Sequence, residues 1–236
     1  MKVVGFYTNG TTYEREAGLL MASLARVGMS YEIAAVDDRG SWDKNVAVKP
    51  QFLLSARERI RGPIVYIDVD AFVHEDCSEY FDGLGSQGYD FGAHWFAGPG
   101  KGHNFLENCG CVSGGKCTRE HRLLSGTLFF GDTDAAFNLL SLWVGYNREA
   151  ASVGWQAGGG QRNLWAIVKS QGRHLKQAYL PGRYCYVFDK AQGYPKGEPR
   201  IIEHTIASRD NRGPKPKGRR RKSTRRARIQ ELERRF

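Results

Sequence analysis

The stretch Ile64-Val65-Tyr66-Ile67-Asp68-Val69-Asp70 decides how this chain is read. A short apolar run follows the breakers Gly62 and Pro63 and ends in two carboxylates one residue apart, the pattern of a buried strand with an acidic tip. Strand alternation sets Asp68 and Asp70 on one side and Val69 on the other. Two carboxylates that close repel each other unless a proton or a cation lies between them. A hard divalent ion with oxygen ligands, Mg²⁺ or Mn²⁺, is the natural partner, and it would in turn hold phosphate oxygens.

Working upstream, Val3 to Thr8 predicts a strand, and the pair Thr11 and Glu14 has the spacing of a capping box at a helix start. Ala17, Leu20, Leu24 and Val27 recur at helical spacing, and Gly28 ends that helix. Tyr31 to Val36 is a second strand. A second helix begins at Lys49-Pro50, buries Leu53, Ala56 and Ile60, and stops at Gly62-Pro63. The order strand, helix, strand, helix, acidic strand predicts a parallel α/β sheet that binds ligands at the carboxyl ends of its strands.

Downstream, Asp90 to Phe96 and Leu123 to Phe130 read as strands, the second interrupted at Ser125-Gly126, where a missing side chain lets a ligand approach the backbone. Asp132 is expected to cap a helix carrying Ala135, Ala136, Leu139, Leu140 and Trp143 on one face. Gly158 to Gly160 precede a further helix with Leu164 and Val168 inward. Tyr184 to Phe188 and Arg200 to Glu203 are expected to close the sheet. No internal repeat is present.

With 236 residues, 41% of them hydrophobic, the chain can bury one substantial core. It reads as a catalytic body over residues 1–208, carrying an inserted cysteine-rich loop at 98–121, and a basic tail over 209–236. Positions 209–236 hold 13 Lys and Arg against 3 acidic residues, so the whole net charge of +10 sits there. No apolar stretch is long enough for a membrane span or shaped like a secretory signal, which predicts a soluble, cytoplasmic protein. Five cysteines without an export signal point to reduced thiols or a metal site rather than to disulfides.

The assembled order resembles the GT-A-type glycosyltransferases that use nucleotide diphosphate sugars, and in particular a DNA-modifying, phage-like member. The pieces that carry the resemblance are Tyr7-Thr8-Asn9, Trp42 followed by Lys49-Pro50, the Tyr-Ile-Asp-Val-Asp strand, Leu124 to Phe130, the helix start Gly160-Gln161, and Ile-Glu-His204. They run in the family's order over nearly all of residues 1–208. The resemblance implies a mixed α/β sheet flanked by helices, with Asp68, Asp70 and His204 around Mn²⁺ or Mg²⁺. It also implies Thr8 and Lys49 near the nucleotide, Ser125 and Gly126 beneath the sugar or acceptor, and Gln161 at the sugar. Arg209 stands where the family places a basic diphosphate contact, and it is also the first charge of the tail. Where many relatives have an acidic residue before that glutamine, this chain reads Gly159-Gly160-Gln161. The candidate bases are therefore Asp132, Asp134, Glu107 and Asp189, none marked out by a motif.

Cys109, Cys111, Cys117 and His121 form Cys-x-Cys-x₅-Cys-x₃-His, with His103 as an alternative fourth ligand, and read either as a structural Zn²⁺ site or as a loop of free thiols. Beyond Gly213-Pro-Lys-Pro-Lys-Gly218, residues 219–236 favour a helix in composition, with Ala227, Ile229, Leu232 and Phe236 as candidates for a contact face. Such a cationic segment outside a fold binds polyanions by counterion release, which makes nucleic acid the expected partner of residues 212–236. Together these features predict transfer of a sugar from a UDP-sugar to a hydroxyl on nucleic acid, such as a hydroxymethylpyrimidine in DNA. The rival readings are a saccharide or protein acceptor, a two-metal nuclease built on Asp68 and Asp70, and a non-enzymatic nucleic-acid-binding protein with a zinc module.

Overall fold

The computed structural model describes residues 1–97, 121–152, 160–188, 197–206 and 219–235. Cys109, Cys111, Cys117, His103, Arg209, Glu107 and Asp189 lie outside the described residues, and His121 is described only as the first backbone position of its strand.

The first half of the chain alternates as its sequence predicts. Strand β1 (Lys2–Thr8), helix α1 (Tyr13–Arg26), β2 (Tyr31–Val36), a short α2 (Trp42–Val46), α3 (Lys49–Arg59) and β3 (Ile64–Ile67) follow one another. Then come β4 (Ala71–Val73), α4 (Ser78–Ser86), β5 (Phe91–Ala97), β6 (His121–Phe130), α5 (Asp134–Ser152), α6 (Gly160–Gln171), β7 (Gln177–Tyr179), β8 (Tyr186–Val187), β9 (Ile202–His204) and α7 (Arg219–Glu233). Among the described residues no helix is long and apolar enough to cross a membrane.

Six strands form the main sheet in the order β2-β1-β3-β6-β5-β7. β1 runs parallel to β2 and β3, while β6 runs antiparallel to β3 and β5, so the sheet is mixed. Both faces are covered. Val3, Val65, Ile67 and Phe129 meet Leu20 and Leu24 of α1 and Phe81 of α4 on one side. Val4, Ile64, Tyr66, Leu128 and Phe130 meet Leu53 of α3, Trp143 of α5 and Leu164 of α6 on the other. Alternation along strands buried on both faces explains why β3 is apolar without interruption. Each fully buried large side chain contributes roughly 1.5–3 kcal/mol.

Several elements depart from the sequence reading. β3 stops at Ile67, and Asp68 to Asp70 form a turn in which the Ala71 N–H donates to the Asp68 carbonyl at 3.0 Å. β8 and β9 do not close the main sheet; with β4 they make a second sheet in the order β4-β9-β8. The turn explains this, because it ends β3 within the main sheet and sends β4 out to pair antiparallel with β9. Asp132 does not cap α5. Its carboxylate accepts from Arg57 and from the Gly62 N–H at 2.8 Å, and the cap is Thr133, whose hydroxyl accepts from the Ala136 N–H at 3.1 Å. The capping box is half formed: the Thr11 hydroxyl accepts from the Tyr13 N–H at 3.2 Å and donates to the Thr8 carbonyl at 2.7 Å, while Glu14 accepts from the Gly10 N–H at 3.2 Å rather than from Thr11.

α7 packs against the body. Ile229 and Leu232 are buried, Arg225 is ion-paired with Glu16, and Arg228 with Glu203. A charge run that reads as solvated when taken alone is drawn inward because buried carboxylates wait for it.

Candidate active site

A cavity of about 390 Å³ opens at the carboxyl ends of β1 and β3. Of the residues singled out from sequence, Thr8, Lys49, Asp68, Asp70, Ser125, Gly126, Gln161 and His204 all line it.

Its acidic floor is the turn between β3 and β4. The Asp68 N–H donates to the Gly126 carbonyl at 2.8 Å, which fixes the turn against β6. Lys49, at the start of α3 and only 5% exposed, reaches across to Asp68 Oδ1 at 2.8 Å and donates to the Ser125 carbonyl at 3.2 Å. Its ammonium also stands 4.6 Å from the Tyr66 ring centroid. The Tyr66 hydroxyl donates to the same Asp68 oxygen at 2.7 Å. Burial, together with the Asp68 charge, raises the Tyr66 pKa well above its ordinary value, so the phenol stays protonated and keeps donating. Asp68 is thereby held by two donors, and a built-in cation relieves its repulsion with Asp70.

Asp70 pairs elsewhere. Its carboxylate lies 3.7 Å from His204 Nδ1, and its carbonyl accepts from the Thr205 N–H at 2.8 Å and the Thr205 hydroxyl at 3.0 Å. His204 Nε2 and the buried Thr127 hydroxyl are 2.9 Å apart. Burial opposes a charged His204, but the Cys185 sulfur and the Asp70 carboxylate beside it outweigh burial and raise its pKa to about 10. Gly126 supplies the room: a Cβ there would lie 2.9 Å from His204 Cε1. The missing side chain at 126 therefore admits the imidazole, and Gly126 also lines the cavity.

On the opposite wall Gln161 opens α6, and its side-chain oxygen accepts from the Ser125 N–H at 3.3 Å and the Ser125 hydroxyl at 3.4 Å. Tyr7, Tyr13, Trp42, Asn45 and Arg162 also line the cavity. Among the described residues that line the cavity, Asp68 and Asp70 are the only carboxylates. Asp132 and Asp134, the described candidate bases, are not among the lining residues.

Three functional side chains escape the sequence reading. Tyr66 was legible, since alternation puts it on the side of Asp68, two residues on. Thr127 and Cys185 carry no local signal, because only the pairing of β6 with β3 and of β8 with β9 brings them to His204.

As a metal site the corner is partial. Among the described residues, no group of three or more His, Cys, Asp and Glu side chains could hold an ion between them. Asp70 and His204 do present an oxygen and a nitrogen side by side, the imidazole serving as a ligand once an ion displaces its extra proton. Mg²⁺-type sites in phosphate chemistry use one or two carboxylates and complete their shell with substrate phosphates and water, so this donor set fits such an ion.

No protein-family model matches the sequence, and no curated protein matches it either. Solved structures do share its architecture. A glycosyltransferase involved in the glycosylation of the major capsid of PBCV-1 superposes with a TM-score of 0.60 at 10% identity, over 96% of this chain and 98% of that one. The fold is GT-A. GlyE of Streptococcus pneumoniae TIGR4, also a glycosyltransferase, gives 0.51 at 15% identity over 94% of this chain and 59% of its own. Mouse xyloside xylosyltransferase 1 gives 0.51 at 9% identity over 88% and 99%. On this fold the acidic turn, the buried lysine and the terminal-strand histidine stand around one cavity.

Proposed function

We propose that the chain is a metal-dependent glycosyltransferase that moves a sugar, a hexose, from a UDP-sugar to an acceptor hydroxyl. The observation that carries this reading is the convergence of Asp68, Asp70, His204 and Lys49 on one cavity of a GT-A fold. Asp70 and His204 would hold Mn²⁺ or Mg²⁺, with Asp68 in reach of its shell. When bound, that ion neutralises the negative charge that grows on the departing diphosphate.

The remaining groups bind and orient. Lys49 anchors Asp68 and adds positive charge where phosphates enter. Gln161 and Ser125 offer the sugar hydroxyls a rigid pair of donors and acceptors, already fixed to each other. Tyr7, Tyr13 and Trp42 supply flat apolar surface suited to a nucleoside. Thr127 supports His204 from behind.

For the acceptor, the reading retained is a hydroxymethylpyrimidine of DNA, drawn in by the cationic C-terminal segment. Arg225 and Arg228 are engaged with body carboxylates, while Arg226 of α7 and Arg234 just beyond its end are exposed.

The test is donor turnover with a panel of UDP-sugars, with and without Mn²⁺, followed by mass spectrometry of offered acceptors. We expect Mn²⁺-dependent release of UDP, reduced at least about 100-fold in Asp70→Asn because a ligand to the charge-neutralising ion is lost. Sugar on hydroxymethylated DNA supports the acceptor reading; sugar only on a saccharide or peptide replaces it. Failure of every nucleotide sugar to turn over or bind would overturn the transferase reading itself.

A further inference from the structure

The C-terminal helix reaches the acidic turn through one buried residue. Arg225 of α7 is 5% exposed, and its Nε donates to the Thr205 carbonyl at 3.0 Å. Its Nη2 pairs with the buried Glu16 of α1 and lies 3.4 Å from the Thr205 hydroxyl. Thr205 in turn donates twice to the Asp70 carbonyl and directly follows His204. Three groups therefore stand in line: the guanidinium, Thr205, and the residue whose carboxylate faces the cavity.

The backbone beside this line is under strain. Ile206, which lines the cavity, has φ 57°, a conformation rare for a β-branched side chain. Such a residue persists only where its surroundings over-determine it. Arg225 grips the carbonyl of the peptide bond that leads into Ile206, and the Thr205 N–H is fixed to Asp70, so the surroundings here are α7 and the turn.

We propose that α7 is a clamp on the acidic turn and that Arg225 is a positioning residue for Asp70 and His204. The proposal rests on the transferase reading for the role of those two side chains. A guanidinium suits the task because its planar fork serves Glu16 and the Thr205 carbonyl at once, which a lysine ammonium on a flexible stem does not. Groups that hold metal ligands from behind are worth about 10–100-fold in metal affinity or activity.

The experiment measures Mn²⁺ uptake by the full chain, from the electron paramagnetic resonance signal of free Mn²⁺, alongside UDP-sugar turnover and thermal unfolding. Arg225→Lys keeps a cation for Glu16 while giving up the fork, so it decides the matter even where Arg225→Met fails to fold. Arg15→Ala, which removes the exposed pair with Glu233 at the rim of the same helix, is the control for loosened docking. We expect Arg225→Lys to weaken Mn²⁺ binding about 10-fold or more and to lower kcat. Arg15→Ala should leave both unchanged. Wild-type Mn²⁺ affinity in Arg225→Lys, with unfolding alone affected, overturns the clamp and leaves the transferase reading standing. Absence of both Mn²⁺ uptake and nucleotide-sugar turnover in the unaltered chain overturns the two together.

Discussion

Gly126 sits under the face of His204, and its lack of a side chain is a packing requirement rather than a matter of backbone freedom. A methyl group there would stand 2.9 Å from Cε1 and 3.2 Å from both ring nitrogens. His204 has little room to retreat, being held by Thr127 on one side and Asp70 on the other. Gly126→Ala is therefore expected to push the imidazole off its partners, at a cost of roughly 1–3 kcal/mol in stability. Urea unfolding checks the cost, and Mn²⁺ titration of the same variant checks the displaced ligand. Lys49 shows the same economy of position: one buried ammonium touches Asp68, the Ser125 carbonyl and the Tyr66 ring, linking α3, β3 and β6 at the cavity floor.

At the scale of the element, β5 carries a buried histidine that the chemistry does not use. His94 lies at an irregularity in the pairing of β5 with β6, and its Nδ1 donates to the Leu180 carbonyl at 2.8 Å. Burial lowers its pKa from the ordinary 6.5 to about 4. The unfolded chain thus takes up a proton at this site between pH 6.5 and 4 that the folded strand refuses. Stability is fully present above pH 6.5 and declines as pH falls toward 4, by up to roughly 3 kcal/mol from this residue. Thermal unfolding measured between pH 7.5 and 4.5 should show this slope, and His94→Gln, which retains a donor for Leu180, should flatten it. An unchanged slope in the variant would assign the acid sensitivity to other groups.

For the whole molecule, the disposition of charge matters most. Read as a line of residues, 209–236 is a cationic tail appended to a neutral body, and its removal is expected to spare the catalytic chemistry. Folded, α7 covers Glu16 and Glu203 with Arg225 and Arg228 and buries Ile229 and Leu232. Truncation after Asp210 leaves the buried Glu16 without its Arg225 partner and Glu203 with only His74 and the more distant Arg200, and breaking a buried pair costs about 3–5 kcal/mol. The truncated chain should unfold at a clearly lower temperature and lose turnover, whereas wild-type turnover in it would restore the appended-tail picture. The α/β order and the two buried faces of β3 were legible in the sequence, because strand alternation and helical periodicity write burial directly into residue order, whereas Thr8, Lys49, Gln161 and His204 came into view only through the resemblance to the GT-A family. The acidic pair announced itself the same way, since charged groups ending an apolar run have few structural reasons to be there. Tertiary structure alone decided that Asp68 takes Lys49 and Asp70 takes His204, that β4, β8 and β9 leave the main sheet, and that the tail's arginines turn inward. Each is a pairing between groups 17 to 209 positions apart. Local sequence fixes which side chains are polar, but only the folded chain brings each charge to the partner that makes its burial affordable.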